Sequence, residues 1–170
     1  ARENVESSAS SMTTQPEDSA LARRTLELVD IPSPSHDEAA VYRYVRAEVP
    51  LSLVHDDGES LLYAKRSGKP LVLLAGHTDT VPAAGNERAR PKGDLLYGLG
   101  ASDMKSGLAI MLALARDIDW VRARSNLTFV FYDNEEVALE KNGLRKLMSA
   151  PVFRLKGSGS DETSARADDV

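Results

Sequence analysis

Three short segments hold the side chains most able to do chemistry. His77-Thr78-Asp79 follows the apolar run Leu71 to Ala75, Asp103 stands before an Ala- and Leu-rich stretch, and Glu135-Glu136 follows the run Leu127 to Tyr132. In an extended chain, residues two apart point to one side, so His77 and Asp79 can reach one site. There the imidazole suits a metal ligand, with the carboxylate holding its far ring nitrogen. Asp103 has two readings, a cap on the following helix or a carboxylate bridging two metals, with Lys105 close enough to balance its charge. Glu135-Glu136 is either a solvated acidic turn or a pair with divided roles, one carboxylate on metal and its neighbour taking a proton from an attacking water. Two like charges and burial raise the pKa of such a base. Each signal is modest alone; together they point to metal-dependent hydrolysis.

The elements that must position these groups can be read from the pattern. Glu17 to Val29 has helical spacing, with Ala22, Leu26 and Val29 on one face. Ile31-Pro32-Ser33-Pro34 stops it. Ser35-His36-Asp37-Glu38 reads as a capping box opening a second helix through Val41, Tyr44, Val45 and Val49. His36 reads as an exposed residue of its first turn. Leu51 to Val54 and Ser60 to Ala64 read as short strands around a turn at Asp57-Gly58, and His55 beside two Asp belongs to that turn rather than to a metal site. Leu71 to Ala75 suits a strand buried on both faces. Gly85 to Gly93 reads as a polar loop and Asp94 to Tyr97 as a short strand. Lys105 to Arg116 is the clearest helix, with Gly107 signalling close backbone packing. Leu127 to Tyr132 is a second buried strand, and Glu140 to Met148 a further helical piece. The alternation predicts an α/β fold, a layered α/β/α domain with a mainly parallel central sheet. Ligands bind beyond the carboxyl ends of such strands, where His77 and Glu135-Glu136 fall.

Composition limits the alternatives. The 170 residues suffice for one domain with a core, and the formal net charge of -5 does not suit a nucleic-acid partner. The chain has no cysteine, so any metal must sit on His and carboxylates. No apolar run has the length of a membrane span, and the first residues lack the pattern of a secretory signal. The expected compartment is the cytoplasm. Residues 1–16 read as a flexible tail, 17–156 as catalytic domain, and 157–170, rich in Gly, Ser and charge, as a flexible or mis-registered tail.

Gly76-His-Thr-Asp-Thr-Val-Pro82, Gly98-Leu-Gly-Ala-Ser-Asp-Met-Lys-Ser-Gly107 and Tyr132-Asp-Asn-Glu-Glu136 resemble the signature segments of the M20 family of zinc aminoacyl hydrolases. The resemblance runs from about Leu21 to Leu147. Within the family, Leu74 through Asn86 and Phe129 to Tyr132 followed by Asn142-Gly-Leu144 look most like the actinobacterial-type succinyl-diaminopimelate desuccinylases. The resemblance implies a zinc-peptidase-like fold and two Zn2+ ions, for which Co2+ can substitute. His77 and Glu136 would bind metal, Asp103 would bridge, Asp79 would orient His77, and Glu135 would be the general acid/base. The implied substrate is a small N-acyl amino acid, N-succinyl-LL-2,6-diaminopimelate, hydrolysed to succinate and LL-2,6-diaminopimelate in lysine and diaminopimelate biosynthesis. Acetylornithine deacetylase, aminoacylase and metallo-carboxypeptidase relatives share the chemistry, and an inactive metal-binding fragment is a further alternative. Neither nucleic acid nor membrane is implied as a partner; a homodimer is implied for intact members.

The resemblance also marks differences. Family members are longer, with a lid and dimerisation domain and a later half that supplies a zinc-binding His. This chain has no His after His77. Glu162, in Asp161-Glu162-Thr163, stands near the distance of a further family carboxylate and is a candidate ligand of the first zinc. The chain thus reads as the N-terminal part of such a catalytic domain. Weak or no turnover is expected of it alone, and an apolar sheet edge is expected to be open.

Overall fold

The computed structural model describes residues 19–65 and 68–151. The tails expected at residues 1–16 and 157–170, and Glu162, lie outside these residues. Helix α1 spans Ala20–Val29 and α2 Ala39–Glu48; next in the chain are strands β1 (Leu53–Asp56), β2 (Leu61–Ala64) and β3 (Leu71–His77). A small hairpin, β4 (Arg90–Lys92) and β5 (Leu95–Tyr97), precedes α3 (Ser106–Asp117), β6 (Asn126–Tyr132) and α4 (Gly143–Met148). Ser19 caps α1, accepting the N–H of Ala22 at 3.2 Å.

The main sheet has the order β1-β2-β6-β3. The α/β class holds, but the sheet is mixed rather than mainly parallel. β1 with β2 and β2 with β6 run antiparallel; β3 with β6 runs parallel. For β1 and β2 the reason is local. Asp57 turns the chain by accepting the N–H groups of Glu59 and Ser60, and Gly58 takes φ +88°. So short a connection returns a strand antiparallel. The parallel pair needs the long crossover, which α3 provides.

Alternate residues of the central strands feed two cores. Leu61, Tyr63, Phe129 and Phe131 pack against Leu28 of α1, Val41 and Val45 of α2, and Leu108 and Leu112 of α3. Leu62, Ala64, Val130 and Tyr132 meet Leu147 of α4. The layering is therefore α/β/α, with the heavier helical layer on one side. Burying each large apolar side chain contributes about 1.5–3 kcal/mol. In α1 the buried face is Thr25, Leu28 and Val29, slightly rotated from the expected stripe, because Ala22 and Leu26 lie toward its margin.

β6 is central and buried almost throughout, as expected. β3 differs. Leu71, Val72 and Leu73 are 43%, 42% and 39% exposed. Among the described residues β3 has a neighbour only on its β6 side, so the run that reads as doubly buried forms an open apolar edge. The expected polar loop Gly85 to Gly93 contains β4, recruited by pairing with β5.

Candidate metal centre

The two strand ends are level. His77 pairs with Tyr132 in the parallel register, and the N–H of Thr78 donates to Tyr132 O at 2.8 Å. The residues just past the two strands therefore share one rim, with 78–80 on one side and 133–136 on the other. Glycine brings the third segment in. A Cβ on Gly76 would lie 2.9 Å from Met104 Cε and 2.9 Å from Met111 Sδ, and one on Gly107 2.9 Å from Met104 Cε. Without those side-chain atoms, the start of α3 closes down on the end of β3.

Asp103 sits in the irregular turn Ala101–Lys105 with extended backbone (φ −130°, ψ 100°), two residues before the Lys105 that precedes α3. It is not the helix cap. Its Oδ1 lies 2.9 Å from His77 Nε2. His77, Asp103 and Glu136 each offer a ligand atom, and these atoms lie within 4.8 Å of one another. The imidazole is buried, Glu136 is half-buried, and the Asp103 side chain is 73% exposed. Asp103 and Glu136 line an open cleft of about 400 Å³ with Gly98 to Ser102, Thr80 and Val81.

Asp79 stands behind this trio, 1% exposed. Its Oδ1 accepts the N–H of Glu135 at 2.9 Å and its Oδ2 the N–H of Glu136 at 3.0 Å and the hydroxyl of Ser35 at 2.7 Å. His77 Nδ1 is 3.0 Å from the Asp79 main-chain oxygen and 3.4 Å from its Oδ1. The ring is thus held chiefly by the backbone of Asp79, with the carboxylate alongside. Burial opposes ionisation of Asp79, but His77, the two amides and Ser35 outweigh it and hold its carboxyl well below the usual range. Burial likewise opposes the imidazolium, yet Asp79 and Asp103 raise the His77 pKa to about 9. The Glu136 carboxyl is pushed up, by burial and then by the charge of Asp103.

The structure therefore brings together five of the six expected site residues: His77, Asp103, Glu136, Asp79 and, by its main chain on Asp79, Glu135. Lys105 is a correction. It does not balance Asp103; it is 2% exposed, and its Nζ donates to Ile31 O at 2.6 Å. Burial lowers its pKa to about 8, against the pull of Asp30. The capping box is a second correction. Helix α2 starts at Ala39, preceded by Glu38 with no side-chain cap, because the Ser35 hydroxyl is committed to Asp79. His36 precedes the helix with φ +74°. His55 lies not in the turn but in β1, paired with Leu62 and 3.6 Å from Asp57 Oδ2. Ser35 and Glu38 are the residues that sequence reasoning assigned to the wrong task. Their spacing was legible, but their partners lie 44 and 96 residues away.

Residues 73–164 match peptidase family M20/M25/M40. The chain is 41% identical over 128 residues to a putative succinyl-diaminopimelate desuccinylase of Mycobacterium tuberculosis, a match covering 72% of this chain and 36% of that protein. It is 37% identical over 127 residues to the succinyl-diaminopimelate desuccinylase of Corynebacterium glutamicum, covering 71% of this chain and 34% of that one. A solved tripeptidase from Staphylococcus aureus superposes with a TM-score of 0.58 at 27% identity, over 69% of this chain and 36% of the other. The chain spans about a third of the length of the curated relatives it matches. With the family match covering more than half of the sequence and centred on the segments that build the rim, this chain belongs to peptidase family M20/M25/M40.

Proposed function

We propose that this chain supplies a metal half-site and the general base of an amide hydrolase, and that the whole protein removes succinate from N-succinyl-LL-2,6-diaminopimelate. The observation that carries the reading is the convergence of His77, Asp103 and Glu136 from three separate segments within 4.8 Å. The donor set fits a divalent cation. It joins one imidazole to two carboxylates, and Glu136 has its pKa raised by burial and by the charge of Asp103, a strain that a cation relieves. An imidazole with carboxylate oxygens and no thiolate suits Zn2+, with Co2+ as a substitute. The names of the relatives support the succinylated substrate.

When bound, the metal supplies Lewis-acid polarisation of the amide carbonyl and a more acidic water. His77, Asp103 and Glu136 would hold it. Asp79 fixes the imidazole and the peptide units of Glu135 and Glu136. Glu135, next to a ligand and half-buried on the rim, takes the proton of the attacking water and passes it to the leaving amine.

The test is calorimetric titration of the 170-residue chain with Zn2+, beside His77→Ala and Glu136→Gln. Uptake by the parent that both variants weaken supports the centre. Uptake unchanged by either variant overturns it. Succinate release from N-succinyl-LL-2,6-diaminopimelate, assayed with zinc and with Glu135→Gln as control, tests the substrate and the base. Activity that survives Glu135→Gln overturns the role of Glu135.

A further inference from the structure

The segment Ser33 to Glu38 carries none of the groups assigned to the reaction, yet it is fastened to both arms of the site. The N–H of Thr80 donates to Ser33 O at 2.8 Å and the N–H of Ser35 to Thr80 O at 3.1 Å, which lays the segment alongside the chain just past Asp79. The Glu38 carboxylate accepts the N–H of His36 at 3.0 Å and that of Asn134 at 3.4 Å, tying the same segment to the acidic loop. Between these fastenings, the Ser35 hydroxyl donates to Asp79 Oδ2 at 2.7 Å.

The two oxygens of Asp79 are loaded differently. Oδ1 takes the Glu135 amide, while Oδ2 takes the Glu136 amide and the Ser35 hydroxyl. A buried carboxylate that loses a donor is left under-satisfied and turns toward whatever donor remains. Because the group is planar, turning Oδ2 also moves Oδ1, and Oδ1 is the atom beside His77 Nδ1.

We infer that Ser35 is a positioning residue of this centre: its hydroxyl sets the plane of the Asp79 carboxylate, and through it the placement of the Glu135-Glu136 peptides and the approach of Oδ1 to the His77 ring. The inference rests on the proposed metal site only for its zinc readout; the geometry it describes is that of the metal-free chain.

The experiment is nitrogen-15 NMR of the metal-free 170-residue chain, comparing the parent with Ser35→Ala, Ser35→Cys and Ser35→Thr. Cysteine keeps the volume with a weaker donor; threonine keeps the hydroxyl. The His77 ring nitrogens and the Glu135 and Glu136 amides are expected to shift in Ala and Cys and to return toward the parent in Thr, while amides in the middle of α3 stay in place. Zinc affinity is expected to fall about tenfold to a hundredfold in Ala and Cys, with Thr restoring most of it. Unmoved His77 and Glu135-Glu136 signals in a folded Ala or Cys variant overturn the inference. So does a Thr variant displaced as far as Ala. If Ala does not fold, Cys decides. If the parent takes up no zinc, the metal reading falls, and the ring and amide signals still decide the role of Ser35.

Discussion

Asp79 and Glu136 stand 57 residues apart, and the carboxylate of the first accepts the main-chain N–H of the second at 3.0 Å, beside that of Glu135 at 2.9 Å. One buried anion thereby fixes the loop that presents both glutamates, while its own backbone holds His77.

The first prediction concerns that anion. Its carboxyl lies below the usual range in the folded chain, so its contribution is present above the ordinary carboxylate pKa and is lost as pH falls through the folded value. The His77 pKa is raised to about 9, so its contribution is present below the ordinary His value and is lost as pH rises through about 9. In metal-free protein, Asp79→Asn is expected to cost at least the about 1.5–3 kcal/mol of a charge-assisted hydrogen bond near pH 5–6. The gap from the parent narrows in stronger acid and again toward pH 9. Urea midpoints measured from about pH 2 to about pH 9.5 check it; a gap that stays constant with pH refutes the account.

Metal uptake runs opposite in pH to the His77 contribution to stability. A metal must displace the proton that Asp79 and Asp103 hold on His77, so zinc affinity is expected to rise with pH up to about 9 and to release a proton near neutrality. Calorimetry in buffers of different ionisation enthalpy counts that proton.

Gly143 is predicted to be much less replaceable than Gly76. An added Cβ would lie 2.0 Å from Asp133 Oδ1 and 2.6 Å from Asp133 O, and its N–H donates to that same main-chain oxygen at 3.0 Å. Backbone on one side leaves nothing to give way. Gly143→Ala is expected to destabilise at or above the top of the about 1–3 kcal/mol range for overpacking. At Gly76 the obstructing atoms are side-chain ends of Met104, Met111 and Leu108, and Gly76→Ala is expected near the bottom of that range. Denaturant midpoints of the two variants rank them.

The open edge of β3 gives the fourth prediction. Leu71, Val72 and Leu73 are each about 40% exposed on a strand unpaired on its outer side among the described residues. Such an edge templates association. The 170-residue chain is expected to self-associate with rising concentration, and Leu73→Lys to reduce this without changing the fold. Light scattering across a concentration series measures it.

The sequence by itself determined which polar residues gather on the rim. An imidazole and four carboxylates placed after apolar runs or before a helix named His77, Asp79, Asp103, Glu135 and Glu136, because strand ends and helix mouths are local properties of hydrophobic period and turn chemistry. It also determined the helices α1 and α3, the Asp57-Gly58 turn and the burial of β6, which arise from the same local pattern. Tertiary structure decided what each polar group is bonded to. Ser35-x-x-Glu38 satisfies the local rule for a helix cap, but a buried carboxylate at Asp79 needs donors more than an exposed helix end does, and it takes the hydroxyl. Lys105 stands two residues from Asp103 in sequence, yet the turn between them sends its ammonium into the α1 side of the protein. Strand direction and edge position were equally non-local. β2 and β3 both read as apolar runs, and only the hairpin return of one and the crossover of the other made the sheet mixed and left β3 open.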